Sequence, residues 1–259
     1  MRLQARLLAL AVVLTSATSL QADIAQSERK SSYEMMAPQT RAMQDEDMSN
    51  PAMLSALDGE ALWNKKAGET DKSCGDCHGD ARKSMQGLAA RYPAHDPLTR
   101  RVVDLEERIG LCQAREQKST PAARETRDML ALSTFIALQS RGAPISPSQD
   151  ESLQRAIERG RALYFKRQGQ LNLSCANCHD DNWGRKLGGA TIPQGHPTGY
   201  PIYRLEWNSV GSLQRRLRNC LTGMRAEVYG LGAPELTDIE AYLMWRARGM
   251  MMDAPGVRP

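Results

Sequence analysis

The chain has 259 residues, with 34 Lys and Arg against 30 Asp and Glu. That length allows one large domain or two small ones, and a charge so balanced excludes the strongly basic surface of a nucleic-acid binder. Aromatic residues make up 5 % of the chain and phenylalanine occurs twice, so a core of this size is short of large side chains and leaves room for a buried cofactor.

Residues 1–22 read as a secretory signal. Arg2 and Arg6 supply a basic start, Leu7 to Leu14 contains only Leu, Ala and Val, and Ala22 is a plausible cleavage point. The apolar run is too short to span a bilayer, and no later segment resembles a membrane span. Residues 23–50 are polar and dotted with Met, without a clear period. They read as an extended arm that a neighbour would order.

The first structured unit is expected over residues 51–147. It opens with Gly59-Glu60-Ala61-Leu62-Trp63 and reaches Cys74-Gly75-Asp76-Cys77-His78. Thr120-Pro121 reads as an N-cap with proline at the first helical position. The helix it predicts runs through Leu130, Phe135 and Leu138 towards Gly142, a C-cap candidate. Gly142 to Ser148 holds one Gly, two Pro and two Ser in seven residues and reads as a connector. The second unit, residues 148–259, opens with the capping-box pattern Ser148-Gln149-Asp150-Glu151 before a helix to Phe165. It continues through Cys175-Ala176-Asn177-Cys178-His179. Thr237-Asp238-Ile239-Glu240 is a further capping box, expected to open a helix through Trp245 to Gly249.

The two pentapeptides share the pattern Cys-x-x-Cys-His, the attachment signature of c-type haem. Two thiols add to the porphyrin vinyl groups, and the adjacent histidine gives the iron its proximal nitrogen. A thioredoxin-like motif would need a strand–helix context that is missing. Zinc sites have no need of a histidine directly after the second cysteine. The surrounding sequence repeats at a constant offset of 101: Gly59 matches Gly160, Lys65 matches Lys166, Gly68 matches Gly169, Ser73 matches Ser174 and Asp80 matches Asp181. A helix–loop–haem unit used twice implies two haem domains. The fold class expected is mainly α: two tandem class I cytochrome c-like domains joined by a Gly/Pro/Ser connector, preceded by the signal and the arm, and carrying two haem c groups.

Two cysteines are left over. Cys112 lies 34 residues after His78, and Cys220 lies 41 residues after His179. An exported protein invites a disulfide between them. Both are also compatible with buried bystanders, or with each thiolate being the second axial ligand of its own haem. The setting of Cys220 is basic, Arg215-Arg216-Leu217-Arg218-Asn219-Cys220 with Arg225 beyond. Nearby guanidinium groups favour a thiolate and fork onto oxyanions. A helix over 213–220 puts Arg216 one turn before Cys220 on the same face and points Arg218 elsewhere, so Arg216 is the expected substrate contact. The setting of Cys112, Arg108-Ile109-Gly110-Leu111, is more apolar and suits an electron relay. His95 and His196 fall outside the haem motifs and read as surface or core histidines, with a supporting role open for His196.

From Pro197-Thr198-Gly199-Tyr200-Pro201-Ile202-Tyr203-Arg204-Leu205-Glu206-Trp207, through Gly211-Ser212-Leu213-Gln214-Arg215-Arg216 to Cys220 and Arg225-Ala226-Glu227, the sequence resembles the SoxA family. Members are haem subunits of bacterial thiosulfate oxidation, and the resemblance covers essentially the whole chain after the signal. The double haem motif, with a cysteine following each, is similar to the family's two-haem form. The resemblance implies a periplasmic L-cysteine S-thiosulfotransferase that pairs with a small monohaem cytochrome, SoxX. Such a complex couples thiosulfate oxidatively to a cysteine of the carrier protein SoxYZ. It further implies covalent haem attachment at Cys74, Cys77, Cys175 and Cys178, with iron ligands His78 and Cys112 in the first half and His179 and Cys220 in the second. It makes Cys220, as thiolate or persulfide, the active-site residue and Arg216 the substrate-binding one. Thiosulfate dehydrogenases, which form tetrathionate, share a dihaem pattern with a cysteine ligand, and a plain dihaem electron carrier accounts for the haem motifs alone. The stretch from Pro197 to Cys220 favours SoxA over both.

Overall fold

The computed structural model describes residues 24–259; the expected signal segment, 1–22, lies outside them. A 3-10 turn, Gln26–Glu28, and helix α1, Pro38–Asp45, come first. This arm is ordered by the chain's own second half. The Lys30 amide donates to Gln194 Oε1 (2.7 Å), the Val257 amide donates to Gln44 Oε1 (2.9 Å), and Arg258 reaches both Gln44 and Ser32.

The first half contains α2 (Ala52–Asn64), α3 (Cys74–His78), α4 (Ala81–Ser84), a hairpin of β1 (Ala94–Asp96) and β2 (Arg101–Val103), α5 (Leu105–Cys112) and α6 (Arg127–Leu138). A π-helical turn, Gln113–Gln117, extends α5. The second half contains α7 (Glu151–Phe165), α8 (Cys175–His179), a small hairpin of β3 (Lys186–Leu187) and β4 (Ala190–Thr191), a hairpin of β5 (Ile202–Arg204) and β6 (Ser209–Gly211), α9 (Leu213–Gly223) and α10 (Pro234–Arg246). A last strand, β7 (Gly256–Arg258), pairs in parallel with β5, giving the order β6-β5-β7. Among the described residues no helix is long and apolar enough to cross a membrane.

Each half is organised by one helix crossing, α2 on α6 and α7 on α10. The buried positions of α7 are Leu153, Ala156, Ile157, Gly160 and Tyr164, one stripe of a 3.6-residue period. Glycine stands at each crossing because the backbones touch there. A Cβ on Gly59 would lie 2.1 Å from the Ala131 carbonyl oxygen, and one on Gly160 1.9 Å from that of Asp238. Aromatic pairs flank the crossings, Trp63 with Phe135 at 6.0 Å and Tyr164 with Tyr242 at 5.2 Å, and these rings supply much of each small core.

Three helix starts differ from the sequence reading. α6 begins at Arg127, with Thr126 as its N-cap, rather than after Thr120-Pro121. The intervening residues stay irregular because Arg124 turns inward to grip Asp104 at 2.7 and 3.0 Å. α10 begins a turn early, at Pro234, so Thr237 to Glu240 lie inside the helix and are buried. α7 is capped by Asp150, which accepts from the amides of Ser152 and Leu153.

The 142–148 segment is stitched to both halves. The amides of Gly142 and Ile145 donate to the carbonyls of Met252 and Met250 (2.8 Å each), and the Ser146 amide donates to Ala90 (3.0 Å). Ile145 is buried with Ala89, Ala137, Met244 and Ala254. A polar seam lies deeper. Asp104 caps α5 and takes Gln214 Nε2 at 2.7 Å besides Arg124, while the Ser212 amide, at the cap of α9, donates to Glu125 at 3.0 Å. The two helices that carry Cys112 and Cys220 therefore start side by side. Burial in this seam, beside Asp104, pushes the Glu106 carboxyl up to about 8.

Replacing Gly160 with Val must force α7 and α10 apart. It is expected to cost at least ~1–3 kcal/mol in thermal or denaturant unfolding. Gly223→Ala, whose Cβ meets nothing within 4 Å, is expected to be neutral or slightly stabilising.

Candidate functional site

Each haem motif is a one-turn helix held by a reciprocal capping box. In α3 the Asp76 amide donates to Ser73 Oγ (3.0 Å) and the Ser73 amide donates back to Asp76 Oδ2 (2.8 Å). In α8 Ser174 and Asn177 make the same exchange at 3.4 and 3.0 Å. The loop before each motif repeats as well. Gly68 and Gly169 have φ of 68° and 71°, and Asp71 and Asn172 share φ 47°. The cap and loop together fix where the two thiols and the imidazole point.

In the first half Cys74, Cys77, His78 and Cys112 line one cavity of about 860 Å³, counting its open mouth. Met85, Leu88, Leu105, Ile109, Leu132 and Ile136 form its apolar walls. This is the lining of a cofactor cleft. The Trp63 ring stands 5.8 Å from that of His78, and its Nε1 donates to the Gly79 carbonyl (3.2 Å). Burial pushes the Cys112 thiol above its ordinary value. Arg108, one turn before Cys112, also lines this cavity, and its guanidinium donates to Asp96 Oδ2 at 2.7 Å.

In the second half Cys220 lies within hydrogen-bonding reach of the His179 imidazole and close to Cys175 and Cys178. His179 Nδ1 sits 2.7 Å from the Pro193 carbonyl oxygen. A proton held there leaves Nε2 as the free lone pair of the ring. Below this loop, Asp180 accepts from the Tyr164 hydroxyl (2.9 Å) and from Arg246 (2.6 Å), tying the motif to α7 and α10. Burial raises the Cys220 thiol, but the His179 hydrogen bond and the charge of Arg216, with help from Arg204, outweigh it and hold the thiol below its ordinary value. Equivalent cysteines are thus shifted in opposite directions.

None of the six cysteines is in a disulfide. Cys112 and Cys220 each face their own motif rather than one another, which removes the inter-domain disulfide from consideration. α9 spans the whole stretch expected to be helical. Leu217 and Leu221 pack inward, whereas Arg215 and Arg218 line a separate cleft with Glu125, Asn219 and Thr222. Arg216 stays with Cys220, as the spacing predicts. His196 is buried, with Nδ1 2.9 Å from the Lys30 carbonyl oxygen, and burial lowers it to about 4. His95 pairs across the hairpin with Val102. Sequence reasoning missed the Pro193 carbonyl, the Asp180–Arg246 pair and Asp96. The last had a signal, since it opens the turn of a glycine-free hairpin, but its partner Arg108 is twelve residues away.

The model of the SoxA/TsdA cytochrome c domain matches residues 58–145 and 159–252. The L-cysteine S-thiosulfotransferase subunit SoxA of Pseudaminobacter salicylatoxidans is 35 % identical over 221 residues, covering 85 % of this chain and 77 % of that one. The chain belongs to the SoxA family. The corresponding subunit of Rhodovulum sulfidophilum is 32 % identical over 231 residues, 89 % of this chain and 80 % of its own. The crystal structure of SoxXA from P. pantotrophus matches with a TM-score of 0.85 at 30 % identity, covering 89 % of this chain and 87 % of that one.

A cytochrome c domain brings haem c, and the residues present fit it. Each half presents a paired-thiol turn, an imidazole and an opposing thiol. In the second half the outward ring nitrogen of His179 is anchored, as ligating histidines commonly are. Among the described residues no three His, Cys, Asp or Glu side chains converge as a bare-ion site. The pyridine haemochrome assay is expected to give two covalent haems per chain, and one for the Cys175→Ala, Cys178→Ala double variant. Two in that variant would contradict the assignment.

Proposed function

We propose that the chain is the catalytic haem subunit of a periplasmic L-cysteine S-thiosulfotransferase, and that the second half is its active site. The single observation that carries this is the Cys220 thiol, set opposite His179 with Arg216 beside it and held below its ordinary value. The SoxA relatives, which are L-cysteine S-thiosulfotransferase subunits, support the reading. Cys74 and Cys77 with His78 and Cys112, and Cys175 and Cys178 with His179 and Cys220, would hold haem, which would supply one-electron acceptors in both halves.

The chain's residues then divide the work. Arg216 binds the thiosulfate dianion through charge-assisted hydrogen bonds to its oxyanion end. This presents the outer sulfur near Cys220. The guanidinium and imidazole beside Cys220 offset the desolvation of its charged form and so favour the thiolate. The overall reaction joins the outer sulfur of thiosulfate to the cysteine sulfur of a SoxYZ-type carrier. One sulfur–sulfur bond forms, the thiol proton goes to water, and two electrons leave to a SoxX-type monohaem cytochrome. The partner follows from the solved relative, a SoxXA complex. Pro193, through His179, and Asp180, through Arg246 and Tyr164, keep the imidazole and its loop from turning.

With the complete complex and carrier, Cys220→Ala is expected to keep both covalent haems and lose at least ~100-fold in thiosulfate-dependent transfer, as removing a reacting thiol does. Arg216→Ala is expected to raise KM for thiosulfate by about tenfold to a hundredfold. Formation of tetrathionate without carrier would move the chain to the thiosulfate dehydrogenases. Unchanged transfer in Cys220→Ala would leave an electron carrier.

A further inference from the structure

From the hairpin to the thiol the halves correspond at a constant offset of 108, Arg216 against Arg108 and Cys220 against Cys112. The hairpins share one register, Ala94↔Val103 to Asp96↔Arg101 and Ile202↔Gly211 to Arg204↔Ser209. The left-handed residues Arg100 (φ 55°) and Asn208 (φ 50°) coincide, as do the N-caps Asp104 and Ser212. On this alignment Arg204 stands where the first half has Asp96, and the charge at one structural position is inverted.

The inversion changes what each site holds. Asp96 is 2 % exposed, and it neutralises Arg108 at 2.7 Å, with Arg115 at 3.4 Å. The first thiol therefore faces an arginine whose partner is already built in. Arg204 is 8 % exposed. Its Nη2 pairs with the half-exposed Glu206 at 2.9 Å and its guanidinium stacks over Trp207 at 5.2 Å, but its Nε is enclosed with no hydrogen-bond partner. Among the described residues no ion pair includes Arg216. Arg204, Arg216, Tyr200 and Cys220 lie close enough to shift one another's charge. Two guanidinium groups that share one half-exposed acid, Glu206, with one buried N–H left over, make a site that favours an anion.

We propose that Arg204 is a second substrate-binding residue, which with Arg216 forms a two-armed clamp on the three oxygens of a sulfonate-type anion beside Cys220. The proposal rests on the thiosulfotransferase reading for its substrate, and on the alignment of the halves for its geometry. Three oxygens around one sulfur suit two planar forks better than one. The clamp also accounts for a single anion site in a chain with two thiol-facing motifs.

The test compares the haem-loaded complex of wild type, Arg204→Gln and Arg204→Lys, with covalent haem content as the check on folding. Isothermal titration with thiosulfate, and separately with sulfate, reads the anion site without turnover. The carrier assay reads KM and kcat. Arg204→Gln is expected to weaken both anions and raise KM by about tenfold to a hundredfold, with kcat changed less. Arg204→Lys, which keeps the charge and loses the fork, is expected to fall between, and it serves alone if the glutamine variant does not fold. Wild-type Kd and KM in either folded variant would overturn the proposal. A wild type that binds thiosulfate through Arg204 yet transfers nothing would instead remove the thiosulfotransferase reading and leave the clamp standing.

Discussion

The close crossing of two helices at a residue without a side chain governs both halves of this molecule. Gly59 and Gly160 let the backbones of α2 and α6, and of α7 and α10, meet at distances that any Cβ would prevent. A short, aromatic-poor chain gains its compactness there. The crossing fixes the level of Trp63 and Tyr164 and hence of the one-turn helices that follow. With those turns locked by Ser73 and Ser174, the imidazole and paired thiols of each motif have one direction left to face.

The second constraint is the seam between the halves. Asp104 and Ser212 cap the helices that carry the lone thiols, Gln214 and Glu125 tie those caps across the boundary, and Arg124 braces Asp104 from its own half. The spacing between the two thiol helices is thereby set by buried polar bonds rather than by the connector. Burying such groups is tolerable only when nearly all are paired, and the raised Glu106 shows the cost that remains.

Most of the repeat was legible because its signals are local: a five-residue motif, a serine directly before it in register, and glycines at a constant offset. The Arg216–Cys220 spacing was legible for the same reason, since one helical turn brings them together. What stayed hidden is long-range. The start of α6 was misplaced because Arg124 is pulled inward by Asp104 twenty residues earlier. The start of α10 was misplaced because a capping pattern at Thr237 is indistinguishable, in sequence, from a buried polar turn inside a helix. The offset also changes from 101 before the motifs to 108 after them, and without the hairpin register the pairing of Asp96 with Arg204 is invisible.

Evolution of one unit into two roles then reduces to the charges around equivalent thiols. Cys112 sits beside an arginine held by the buried Asp96, and Cys220 beside Arg216, which no ion pair among the described residues includes, and Arg204, whose acid is the half-exposed Glu206. Electron paramagnetic resonance of the oxidised complex, titrated with sulfate as an unreactive oxyanion, tests that division directly. Sulfate should shift only the low-spin signal that Cys220→Ala removes. A shift of the signal that Cys112→Ala removes, or of both signals alike, would contradict it.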